Sequence, residues 1–203
     1  HIHGVEEKSW DQLLPAENMN QSGAQRVVNR TTVVHQGEEA LCYALDVESL
    51  LVECLPEVAE KLNPSIGQVG DWKTKYAGKT LLMADDSRGI RQYLGNVMTQ
   101  LGIEHKIFEN GQTLIDYLSG VTDVRTISAI ITDLEMPVAS GHTVIKYIRN
   151  SNLLKELPIG VHSSMTGDNN ARDSKKLGAN VFIGKINTEG LLEGLTQLSE
   201  LMA

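Results

Sequence analysis

Residues 79–203 alternate between short apolar runs and helix-period stripes, and this predicts an α/β fold with a doubly wound sheet of five parallel strands. Two further observations support it. Ile127–Thr132 is an apolar, β-branched run of the kind that suits a strand buried on both faces of a parallel sheet. Polar residues stand just past the ends of four of the runs, where open α/β sheets bind their ligands. Before this region the chain reads as a smaller, β-rich segment.

In order, Thr80–Ala84 is the first strand of the sheet, and the helix after it carries Ile90, Leu94, Val97, Met98 and Leu101 on one face. Glu104–Phe108 and Gln112–Leu118 form the second strand and helix. Ile127–Thr132 precedes a helix at His142–Ile148, and Ile159–Ser163 one at Asn169–Leu177. Val181–Gly184 is the fifth strand, and Leu191, Leu192, Leu195, Leu198 and Leu201 stripe the last helix.

Upstream, Thr31–Val34 and Ala40–Leu45 flank His35-Gln36-Gly37-Glu38 as a hairpin. Asp46 is placed to cap a helix with Val47, Leu50, Leu51, Cys54 and Leu55 on one face, and Pro56 breaks it. Residues 63–78 hold Pro64 and three glycines with no sustained period, and read as a linker or packed connector. The expected division is therefore 1–62, 63–78 and 79–203. Charge follows it: residues 1–78 carry 6 basic and 12 acidic side chains, residues 79–203 carry 12 and 14.

Composition narrows the function classes. At 203 residues and 41% apolar, the chain has material for an ordinary core and is too apolar for disorder. A net charge of −8 argues against nucleic acid or an anionic membrane as partner. No apolar run approaches the roughly 20 residues of a membrane span, and none reads as a secretory leader. Cys42 and Cys54 lack zinc-type or C-x-x-C spacing and are expected to be buried structural thiols in a cytoplasmic protein. The chain begins at His1, not Met, in what reads as a strand, and is expected to be a fragment.

The polar residues beyond the strand ends are Asp85 and Asp86 after the first strand, Asp133 after the third, Ser163-Ser164 at the fourth and Lys185 after the fifth. Singly, each has an ordinary reading: a helix cap, a turn, a strand-end hydroxyl, a solvated charge. On one rim they read differently. Three carboxylates repel one another, and a hard divalent cation with oxygen ligands, Mg2+, relieves that repulsion. Carboxylate, Mg2+, ammonium and hydroxyl together suit phosphoryl transfer, in which an Asp can itself be the nucleophile. Asp133, ending the most buried strand, is the best candidate.

Met83-Ala84-Asp85-Asp86-Ser87, Thr132-Asp133-Leu134-Glu135-Met136-Pro137, Ser163 and Val181-Phe182-Ile183-Gly184-Lys185 resemble the receiver domain of two-component response regulators. The intervals agree: 47 residues from Asp86 to Asp133, 30 on to Ser163 and 22 on to Lys185. The resemblance covers 79–203 and implies a flavodoxin-like fold. It also implies a phosphoacceptor at Asp133, served by a kinase phosphohistidine, and Mg2+ held by Asp85, Asp86, Asp133 and the Glu135 backbone carbonyl. Lys185 and Ser163 would contact the phosphoryl group, and Phe182 would follow Ser163 inward as the switch. Such a domain catalyses only its own phosphotransfer and dephosphorylation. Three positions depart from the usual pattern. Ile186 replaces the proline after the lysine, so no cis peptide is expected there. Val138-Ala139-Ser140-Gly141 lacks the Met-Asp pair common before this Gly, and Glu135 is placed to alter phosphate lifetime.

Ser9-Trp10-Asp11-Gln12-Leu13-Leu14-Pro15-Ala16, Thr31–Val34, Leu45-Asp46-Val47-Glu48-Ser49-Leu50-Leu51 and Leu55-Pro56 resemble the C-terminal half of a CheW-like coupling domain. Leu50, Leu51 and Leu55 are there expected in the core. A CheW-like part followed by a receiver resembles the CheV type of chemotaxis coupling protein. That resemblance implies a CheA-like histidine kinase and chemoreceptors as partners, a place at cytoplasmic receptor arrays, no nucleic acid and no membrane insertion. Three alternatives stand beside it: a phosphate sink for the kinase, a receiver used only for packing, and a haloacid-dehalogenase-type Asp-nucleophile phosphatase. The last usually has a second Asp where this chain has Glu135.

Overall fold

The computed structural model describes residues 14–15, 27–35, 38–45, 71–163, 168–185 and 187–202. The helix expected over 46–55, most of the Trp10 segment, residues 63–70 of the connector, Ser164, the Lys185–Ile186 step and the burial expected of Cys42 and Cys54 lie outside what is described.

Upstream, β1 (Leu14–Pro15), β2 (Val27–His35) and β3 (Glu38–Leu45) form an antiparallel sheet in the order β1-β2-β3. Pro15, which has no N–H to give a ladder, sits on the edge strand, where its loss matters least. The expected hairpin is there with longer arms, paired from Val27↔Leu45 to His35↔Glu38. Its apolar windows stop short because Asn29, Arg30, Glu38 and Glu39 interrupt the run, whereas backbone pairing does not depend on apolar side chains.

From residue 71 on the elements are α1 (Trp72–Lys75), β4 (Thr80–Ala84), α2 (Arg88–Leu101), β5 (His105–Phe108), α3 (Gly111–Ser119), β6 (Ile127–Thr132), α4 (Gly141–Asn150), β7 (Ile159–Ser163), α5 (Asp168–Leu177), β8 (Val181–Gly184) and α6 (Thr188–Glu200). The five strands β4–β8 form one parallel sheet in the order β5-β4-β6-β7-β8, the flavodoxin-like arrangement. The first of these strands, β4, lies between the second and the third. The connections leaving it and reaching β6 therefore run over opposite faces and open a crevice at the carboxyl ends of β4 and β6.

Each strand alternates its side chains between two apolar layers. Leu81, Met83, Ala129, Ile131 and Ile183 meet α2 and α6 on one side, while Leu82, Ala84, Ile130, Ile159 and Val161 meet α3 and α4 on the other. All six residues of β6 are buried, as its unbroken apolar run predicts. Helix α2 buries Ile90, Tyr93, Leu94, Val97, Met98 and Leu101 at helical spacing, each contributing about 1.5–3 kcal/mol. Helix starts fall one residue before the apolar stripes suggest, because Asn110 and Ser140 cap α3 and α4 by accepting from Thr113 and Thr143 N–H. Strand β5 begins at His105, not Glu104, although the Glu104 carbonyl still accepts from Leu81 N–H at 2.8 Å.

The end of the connecting stretch is packed. Tyr76 is buried in the α2/α6 layer and its hydroxyl donates to the Leu195 carbonyl at 2.8 Å. No described helix is long and apolar enough to cross a membrane.

Candidate functional site

Parallel register brings the strand ends together. Ala84 pairs with Thr132, so Asp85 and Asp133 emerge side by side. The ladder runs on into the rim: Asp133 N–H donates to Ala84 O at 2.8 Å, Asp85 N–H to Phe108 O at 3.1 Å and Lys185 N–H to Ser163 O at 3.1 Å. One oxygen from each of Asp85, Asp86 and Asp133 lies within 4.8 Å of the others, with Asp85 and Asp133 buried and Asp86 half-buried. Lys185 reaches in from β8, its Nζ 2.9 Å from Asp133 Oδ2 and 3.1 Å from Asp85 Oδ2.

Electrostatics follow from that count. Burial, then the charge of Asp85, push the Asp133 carboxyl up to about 7, against the opposing pull of Lys185. One ammonium does not offset three converging carboxylates. The donor set is all oxygen and close enough to share one ion, so it fits a small hard divalent cation such as Mg2+.

The carboxylates are held from behind. Asp85 Oδ1 accepts from Ser87 N–H at 2.9 Å, and Asp133 Oδ1 from Glu135 N–H at 3.4 Å. Arg91, one turn into α2, donates to the carbonyls of Asp85 at 2.9 Å and Asp86 at 2.7 Å. Sequence reasoning missed Arg91, although its spacing of five from Asp86 puts it over the strand–helix junction. It also missed His162, a lone polar residue inside the apolar run of β7, which is buried with Nδ1 3.8 Å from Asp85 Oδ2.

The remaining residues singled out in the sequence are spread around this centre. Ser163 closes β7 at the rim and is buried. Glu135 sits two residues past Asp133 with an exposed side chain. Phe182 pairs with Val161 in the β7–β8 register and is half-buried, lining a groove of about 360 Å3 with Arg172, Lys175 and Gln197.

Comparison with known proteins agrees with this geometry. The family described as the response regulator receiver domain matches residues 81–196. Chemotaxis protein CheV1 of Helicobacter pylori is 32% identical over 196 residues, covering 96% of this chain and 59% of that protein. CheV2 of the same organism is 27% identical, covering 92% of this chain and 58% of its own length. The chain thus spans about three fifths of the CheV proteins it matches. Among solved structures, the chemotaxis response regulator CheY4 of Vibrio cholerae superposes with a TM-score of 0.54 at 26% identity, covering 59% of this chain and 98% of that one. With the acidic crevice, the bridging lysine and the strand order all in the matched region, the chain belongs to the response regulator receiver family, and its likeness along 96% of its length is to the CheV type of chemotaxis protein.

Proposed function

We propose that this chain is a phosphorylation-controlled chemotaxis adaptor whose receiver domain takes a phosphoryl group on Asp133 from a CheA-like histidine kinase. The observation that carries the reading is Lys185 bridging Asp133 and Asp85, with Asp86 alongside. A carboxylate oxygen of Asp133 attacks the phosphorus of the kinase phosphohistidine. The P–O bond forms as the P–N bond breaks, and the departing imidazole keeps the electron pair and takes up a proton. Asp85, Asp86, Asp133 and the Glu135 backbone carbonyl would hold Mg2+, which when bound supplies charge neutralisation for the phosphoryl oxygens. Lys185 pairs with the new phosphoryl group, Ser163 donates its hydroxyl to it, and Phe182 follows Ser163.

That rearrangement is a population shift, driven by contacts the phosphoryl group makes in one state and not the other. Its output face is α5, β8 and α6. In this reading residues 1–62 are a partial CheW-like coupling domain, 63–78 connect, and 79–203 form the receiver. Phosphorylation then modulates the link between chemoreceptors and kinase at receptor arrays.

The test is transfer of labelled phosphate from an autophosphorylated chemotaxis histidine kinase to the chain in the presence of Mg2+. The wild type is expected to label rapidly and Asp133→Asn not at all. Stoichiometric labelling of Asp133→Asn would sink the site assignment.

A further inference from the structure

His162 is 1% exposed, and neither of its ring nitrogens has a hydrogen-bond partner. Burying an imidazole without partners is costly, so a residue kept that way at the base of a site calls for a function. Its surroundings give one. On β7 it shares a sheet face with Gly160, whose missing β-carbon would point at Leu198, Ile131 and Ile183, so the ring stands in the apolar layer under the crevice. The polar atom facing it there is Asp85 Oδ2, 3.8 Å from Nδ1. That oxygen also lacks a hydrogen bond and is held only by the ion pair with Lys185 at 3.1 Å. Two atoms without a hydrogen bond, a ring nitrogen able to donate and a carboxylate oxygen, therefore face one another less than 1 Å beyond hydrogen-bond range.

We infer that His162 is a positioning residue for the Asp85 carboxylate, donating from Nδ1–H to Asp85 Oδ2 when Lys185 turns from Asp85 to the phosphoryl group. Lys185 now divides its ammonium between Asp85 and Asp133, and the denser charge of a phosphoryl group on Asp133 draws it away from Asp85. As it leaves, Oδ2 keeps a donor only if the imidazole closes on it. The other carboxylate oxygen is already fixed by Ser87 N–H, so the two contacts together set the plane of the carboxylate. Outer-shell donors of this kind orient metal-ligating groups and strengthen their hold on the ion. His162 immediately precedes Ser163, so the strand end that responds to phosphate is also the one that steadies Asp85. The inference rests on the Mg2+ and phosphoryl reading of the crevice.

The experiment is calorimetric titration of the full chain with Mg2+, alone and with beryllofluoride as a phosphoryl mimic. It compares wild type, His162→Val, His162→Leu and His162→Asn, with thermal unfolding of each metal-free form alongside. An asparagine amide places an N–H near the position of Nδ1, while valine and leucine fill the strand site without a donor. The two apolar variants are expected to unfold no earlier than wild type, since an unsatisfied polar group is gone. They are expected to bind Mg2+ with the mimic roughly tenfold more weakly, and His162→Asn to recover to within about threefold of wild type. If one apolar variant fails to fold, the other reads the same quantity. Affinity within twofold of wild type in the apolar variants, or an Asn variant no better than they are, overturns the inference and leaves the Mg2+ reading standing. Absence of Mg2+ binding by the wild type overturns the reading itself.

Discussion

Asp133 holds its proton up to about pH 7 in the folded, metal-free chain, because burial and the neighbouring Asp85 charge outweigh Lys185. In the unfolded chain the same carboxyl titrates near its ordinary value of 3.8. Between those two values the native state binds more protons than the unfolded state, so this group lowers stability as pH rises from about 4 to about 7 and adds nothing further above. Asp133→Asn removes the titration. It is expected to stabilise the metal-free protein by about 1–3 kcal/mol at pH 8 and by almost nothing at pH 4, read as urea unfolding free energies at the two pH values. Equal effects at both would mean that the carboxyl is not the strained group. Because protons compete with Mg2+ for this oxygen, the apparent affinity for Mg2+ should fall roughly tenfold between pH 8 and pH 6.

The loop from β6 to α4 carries strain at one residue and tight packing three residues later. Val138 has φ 67°, in the left-handed region that branched side chains rarely adopt, and it is 80% exposed, so no burial offsets the cost. Val138→Gly is expected to stabilise the chain by about 1 kcal/mol, seen as a rise of a few degrees in Tm. An unchanged or lower Tm would show that the valine side chain contributes more than its backbone costs. Gly141 is different. Its N–H donates to the Leu134 carbonyl at 3.0 Å, and a β-carbon there would collide with the Asp133 carbonyl oxygen. Gly141→Ala is expected to cost about 1–3 kcal/mol and to weaken Mg2+ binding, since the clash pushes on the residue that carries the site. The motif around Asp133 showed this loop in the sequence. The close approach did not show, because it arises only when α4 is laid against β6.

At the scale of the whole described α/β unit, α1 and the residue after it close one end of the core. Tyr76 donates its hydroxyl to Leu195, 119 residues away, and burial raises its phenol well above the ordinary tyrosine range. Tyr76→Phe is expected to cost about 1 kcal/mol in urea unfolding, and Tyr76→Ala about 3–5 kcal/mol, because the second also opens a cavity. If the alanine variant unfolds at the wild-type midpoint, this stretch is not part of the core. A Pro- and Gly-bearing segment without period left a linker and a packed connector equally open, because one buried aromatic makes no pattern.

By itself the sequence determined the order of strands and helices, the doubly wound class, and the identity of the residues at the strand ends. Those are written locally: an apolar run of β-branched residues, a stripe at helical spacing, and an Asp, a Ser or a Lys at the strand end. The tertiary structure decided what these residues are to one another. The order β5-β4-β6-β7-β8 sets β4 beside β6 and so joins Asp85 to Asp133, and it lets Lys185 reach both from β8, two strands from β6 and three from β4. Arg91 and His162 became visible only there, since one acts on backbone carbonyls and the other on a carboxylate more than 70 residues away in the chain. Periodicity records which face of an element is buried. It does not record which charge lies across that face, and the proton affinity of Asp133 is set by that distance and by the loss of water around it.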